Sequence, residues 1–106
     1  ATIAATLTLS ACGGSEQLTD RERTTLRRAY AAVAWACVAT DLRPDDHAAI
    51  RSLVDIYRRK PDATYDSRTV EQVVADLGAD LSVCAKGNDD ADWEVRRLEA
   101  ALDVGP

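Results

Sequence analysis

The sequence predicts an all-α fold, a small up-down four-helix bundle cross-linked by one disulfide. Three observations carry that prediction. The 106 residues include 19 alanines, only 5% aromatics and no phenylalanine; alanine favours helix, whereas strands draw on aromatic and β-branched residues. Apolar residues recur at spacings of three and four along four successive segments, the period of a helix with one buried face. Capping and turn residues separate these segments by short connectors, which favours antiparallel neighbours. A chain of this length forms one domain, small enough to need support beyond its apolar core.

The first helix is expected over residues 20–40. Thr19-Asp20-Arg21-Glu22 has the spacing of a capping box, and Leu26, Tyr30, Val33 and Cys37 form one stripe. From Ala29 to Ala39 the segment carries no charge, so this helix is either surrounded by partners or exposes a second apolar face. Pro44 opens the second helix, with Asp45 and Asp46 at its positive end. Its stripe is Ile50, Leu53, Val54 and Tyr57; Arg58, Arg59 and Lys60 close it and Pro61 stops it. Residues 61–66 read as a turn-rich connector, with Asp66 or Ser67 capping a third helix.

That third helix buries Val70, Val73, Val74, Leu77, Leu81 and Cys84, and Gly87 is placed to end it. Gly78 inside it costs about 1 kcal/mol against alanine and suggests a close helix crossing. Asn88, Asp89 and Asp90 start a fourth helix with Ala91, Val95, Leu98 and Leu102 on one face; Gly105-Pro106 ends it.

The N-terminal residues are of a different kind. Residues 1–11 are uncharged and weakly apolar, too short to cross a bilayer, which takes about 20 residues. They read as the tail of a signal-peptide apolar region. Leu9-Ser10-Ala11-Cys12, followed by Gly13-Gly14-Ser15, resembles the lipobox and flexible tether of bacterial membrane lipoproteins. The resemblance covers residues 1 to about 15. It implies a diacylglycerol on the Cys12 thiol and cleavage before Cys12, leaving that residue acylated (palmitate being a typical chain). It also implies a protein lipid-anchored to the extracytoplasmic face of a cell membrane. The chain then divides into a signal-peptide remnant (1–11), a lipidated cysteine with its tether (12–18) and a helical domain (19–106).

With Cys12 assigned to lipid, Cys37 and Cys84 remain as a pair in a compartment that permits disulfides. Both are read on core stripes near the C-terminal ends of helices one and three, which an up-down-up path brings to the same side. A bridge closing this loop contributes roughly 4 kcal/mol on the chain-entropy model. The alternative is two thiols packed as small hydrophobes.

Little in the sequence points to chemistry. The net charge of -5 argues against a nucleic-acid partner. No Gly-x-Ser-x-Gly, P-loop or dinucleotide motif is present, so no enzyme activity, catalytic residue or cofactor is expected. His47, the single histidine, lies beside Asp45 and Asp46 without a second suitably spaced ligand. Asn88, Asp90, Asp92 and Glu99 have calcium-loop spacing, yet Trp93 stands where the loop needs glycine. No metal site is therefore assigned. Arg21, Arg23, Arg27 and Arg28 lie close to the tether, where they solvate the helix or meet lipid headgroups. Trp35 lies opposite the first helix's stripe, on a face with Val38 and Leu42, and Trp93 lies off the main stripe of the fourth. Trp35, Val38, Leu42 and Trp93 are thus the candidate partner surface, for an envelope protein. The rival expectations are that Trp35 caps the core, or that a small ligand or metal is carried between the helices.

Overall fold

Helices begin where the sequence supplies a reciprocal cap or a side-chain acceptor. A computed structural model describes residues 17–39, 41–84, 86 and 88–106; the expected lipid site Cys12, residues 1–11 and the stop at Gly87 lie outside them. The described elements are α1 (Asp20–Val38), α2 (Pro44–Arg59), the two-residue strands β1 (Thr64–Tyr65) and β2 (Arg68–Thr69), α3 (Val70–Cys84) and α4 (Asp89–Val104). The fold is the expected all-α four-helix bundle. At the start of α1, Glu22 N donates to Thr19 Oγ1 at 3.1 Å while Thr19 N donates to the Glu22 carboxylate at 2.8 Å, a capping box. Asn88 caps α4 by accepting from Ala91 N.

The core consists of Leu26, Ile50, Leu53, Val70, Val73, Val74, Leu77, Leu81 and Leu98, all essentially inaccessible, with Tyr57 its largest member. Each such leucine or isoleucine stabilises the fold by about 1.5–3 kcal/mol relative to an exposed one. The stripes expected on α2 and α3 are the buried ones, with the exception of Cys84. On α1 the buried face is rotated from the expected one: it is Leu26, Ala29, Ala32, Val33 and Ala36, while Tyr30 is half-buried and Cys37 exposed. Periodicity weighted toward large side chains misses this, because alanines fill the centre of the face and let neighbouring helices approach. On α4 the buried set is Ala91, Glu94, Val95, Leu98 and Ala101, with Leu102 half-buried.

The connector between α2 and α3, expected as a turn-rich segment, contains a short hairpin that the sequence reading did not include. β1 and β2 form an antiparallel hairpin pairing Thr64 with Thr69 and Tyr65 with Arg68. Asp66 (φ 52°) and Ser67 (φ 71°) both sit in the left-handed region, as a two-residue hairpin turn with the strands' natural twist requires. Neither residue caps α3. Instead Gln72 N donates to Thr69 Oγ1 at 3.2 Å and Thr69 N to Gln72 Oε1 at 2.8 Å. Tyr65 stacks on Tyr30 with ring centroids 6.0 Å apart, and Arg68 joins the Tyr30 hydroxyl to the Asp76 carboxylate at 3.3 and 3.0 Å. The hairpin is thereby closed onto α1 and α3.

The up-down path gives the bundle two ends. One carries the hairpin and the start of α1; the other carries the Cys37–Cys84 disulfide, with Cα atoms 4.6 Å apart. Both cysteines are exposed rather than buried on core stripes as expected. Since α1 and α3 end there side by side, their last turns can be bridged outside the core.

At the hairpin end the Glu22 carboxylate takes Arg59 NH1 at 2.9 Å and Lys60 Nζ at 2.8 Å. Lys60 also donates to the Gln17 carbonyl at 2.7 Å. Burial on its own raises the Glu22 carboxyl, but hydrogen bonds from Lys60, the Thr19 backbone and Arg59 outweigh it and hold the group at about 2. Glu22 thus clamps the incoming chain and the start of α1 to the last turn of α2.

Candidate functional site

The disulfide end brings three of the exposed large apolar side chains to one end of the molecule: Trp35 (37% accessible) and Val38 (81%) on α1, and Val83 (76%) on α3. Trp35 and Val38, three residues apart, are neighbours on one helical face. Val83 belongs to the last turn of α3, beside the exposed disulfide. The Arg43 guanidinium lies over the Trp35 ring, 4.3 Å from its centroid, a cation–π contact that fixes both groups. Arg43 is in turn held by Asp46, which accepts from Nε at 3.0 Å, from NH2 at 3.2 Å and from the Arg43 backbone at 2.9 Å. Burial tends to raise the Asp46 carboxyl, but the Arg43 bonds prevail and its net shift is downward.

Two of the four residues expected to form a partner surface do not join this one. Leu42 is 6% accessible and belongs to the core: the chain reverses just after α1, so position 42 no longer follows that helix's phase. Trp93 is 62% accessible but lines a separate groove on α4 with Arg58, Arg96 and Arg97. Val83, which sequence reasoning assigned no role, is the addition. Its signal was an apolar residue in the last turn of α3 that falls between Leu81 and Cys84, off the expected stripe.

Near this end one buried carboxylate, Glu94, joins two titratable side chains of different helices. His47 Nδ1 lies 2.6 Å from Glu94 Oε2, and Arg97 Nε donates to Glu94 Oε1 at 2.8 Å. Glu94 is 1% accessible, so α2 and α4 are tied by a buried carboxylate with two partners. This network was not legible in the sequence, where nothing marks Glu94 or links it to His47, 47 residues away. Among the described residues no group of three or more His, Cys, Asp or Glu side chains is arranged to hold a metal ion. Asn88, Asp90, Asp92 and Glu99 lie at the cap and along the turns of α4, a straight path that cannot encircle a cation. A groove of about 440 Å³ between α1 and α2 is lined by Thr25, Arg28, Asp45 and Ser52 among others, with the Arg43–Asp46 pair at its edge. It holds no set of groups with the geometry of acid–base or nucleophilic catalysis.

No protein-family model matches the chain, and comparison with curated proteins and with solved structures finds no match either. No helix among the described residues is long and apolar enough to cross a membrane.

Proposed function

We propose that this chain is a bacterial membrane lipoprotein, acylated on Cys12 and held on the extracytoplasmic face, whose helical domain is a protein-interaction module of the cell envelope. The observation that carries the interaction reading is the apolar end formed by Trp35, Val38 and Val83. It is separated by the length of α1 from the point where the chain enters the domain. Nineteen helical residues span about 27 Å, and Lys60 pins Gln17 at the opposite end. A domain tethered through residues 12–18 would therefore present its apolar end away from the lipid. Isolated exposed apolar side chains are ordinary, but an aromatic and two valines exposed at the same end of the bundle, with Asp80 lining the groove that holds Val83, have the composition of a docking surface.

Intact mass, taken without reductant on protein from native membranes, tests the anchor. The expected mass is that of Cys12–Pro106 plus acyl groups, less two hydrogens for the bridge; an unmodified chain retaining residues 1–11 refutes it. For the patch, Trp35→Ala and Val38→Asp are expected to abolish a cross-linked adduct with an envelope protein in cells while leaving helicity unchanged. Retention of the adduct in both variants would refute docking at this end. A second reading, carriage of a small ligand, has one observation in its favour, the groove beside Trp93.

A further inference from the structure

We propose that the groove between α2 and α4 binds an organic anion: a carboxylate or phosphate headgroup held by Arg58, Arg96 and Arg97, with an aliphatic or aromatic body laid on Trp93, Ala100 and Val104. The groove has a volume of about 360 Å³, within the range of small-molecule sites. Its floor follows from spacing. Trp93, Arg97, Ala100 and Val104 recur at four, three and four residues along α4, so they form one outward stripe. Ala100 between the larger side chains leaves the depression, and the buried Ala101 backs it. Trp93 and Val104, 62% and 83% accessible, are too exposed to be explained by the core.

The rim gives the anion preference. Three guanidiniums meet here on a chain of net charge -5. Arg97 and Arg96 are each held through Nε by a carboxylate of the same helix, Glu94 at 2.8 Å and Asp92 at 3.3 Å. Arg58 has no hydrogen bond or ion pair among the described residues, although its neighbour Arg59 has both Glu22 and Asp55. A planar guanidinium matches two oxygens of a carboxylate or phosphate at once, and a charge-assisted bond gains strength beside apolar surface that excludes water. Phosphate alone would leave Trp93 and Val104 uncovered, and an uncharged chain would leave the arginines unanswered. A single molecule carrying both parts satisfies the groove.

The test uses the full oxidised chain in a Trp35→Phe background, so that Trp93 alone reports. Dodecanoate below its micelle concentration is expected to shift Trp93 emission to the blue saturably, at one molecule per chain. Arg58→Gln and Val104→Asp, both at exposed positions, should each weaken binding about tenfold with no change in melting temperature of the free protein. Arg96→Gln is a second charge variant should Arg58→Gln disturb the end of α2. Equal binding of the uncharged dodecyl maltoside overturns the proposal, as does displacement by inorganic phosphate at concentrations matching dodecanoate. Unchanged affinity in the arginine variants also overturns it. Response only to vesicles containing phosphatidylglycerol, and none to monomeric dodecanoate, assigns the surface to a bilayer and overturns the site.

Discussion

Glu22 shows how much one residue does in a small bundle. Its carboxylate caps α1, accepts from two cations on the end of α2, and is 8% accessible. Because its folded value of about 2 lies below the unfolded 4.5, its ionised form stabilises the fold. That contribution is fully present above pH 4.5 and is lost as pH falls toward 2. Glu22→Gln is therefore expected to lower unfolding free energy by about 2 kcal/mol at pH 7, part of what breaking a buried pair costs, since Arg59 and Lys60 can turn to water. Urea titrations at pH 7 and pH 2.5 check it: the gap between wild type and variant should narrow at the lower pH, and a gap of constant size would assign the loss to packing alone. The capping role was legible in the sequence from the Thr19–Glu22 spacing. The two cations were not, because they come from residues 37 and 38 positions further along the chain.

Ser67 is the opposite case, a residue working against its backbone. With φ at 71° it occupies the left-handed region, which costs an L-residue about 1–2 kcal/mol and glycine almost nothing. Ser67→Gly is expected to gain about 1 kcal/mol, raising the melting temperature by roughly 4–8 °C. No rise, or a fall, would mean that the serine side chain contributes to the turn. The same residue explains why the hairpin escaped sequence reasoning. Strands of two residues carry no alternation to read, and an Asp-Ser turn lacks the glycine that signals this geometry.

At the scale of elements, helix pairing is decided by which faces carry small side chains. Alanines at positions 29, 32 and 36 line the buried face of α1, and Gly78 plays that part on α3, buried against Leu98 of α4. Gly78 was legible as the mark of a close crossing, but the available space was not. A Cβ added there would meet the Leu98 Cβ at 3.5 Å, an ordinary van der Waals contact. Gly78→Ala should then keep the crossing and recover helix propensity, raising stability by roughly 0.5–1 kcal/mol. Gly78→Val adds two more carbons against Leu98 and should lower it by about 1–3 kcal/mol. Thermal melts of the two variants check the sign change between them; destabilisation by alanine would show that α3 and α4 tolerate no added atom at this level. The helices themselves were readable because a 3.6-residue period and caps are local, whereas the pairing of His47 with Glu94 depends on the angle at which α2 meets α4.

For the whole molecule the decisive feature is the disulfide, which ties the ends of α1 and α3 across 47 residues of sequence. Its pairing was legible because the lipobox resemblance set Cys12 aside and an up-down-up path places positions 37 and 84 at the same end; its exposure was not, because the α1 face turned on alanines. On the chain-entropy model the bridge contributes roughly 4 kcal/mol, of the same order as the whole stability of a domain this small. Cys37→Ser with Cys84→Ser should therefore lower the urea midpoint drastically, and any folded fraction should keep its near-ultraviolet dichroism, because an exposed bridge leaves no cavity when removed. Exposure also sets the kinetics. Both cysteines lie at the surface, so a reductant reaches the bond without unfolding the bundle. The reduction rate of the native protein, followed by thiol release, should increase linearly with phosphine concentration. A rate that levels off at the unfolding rate would instead mean that the bridge is shielded in the native state and reached only through global opening.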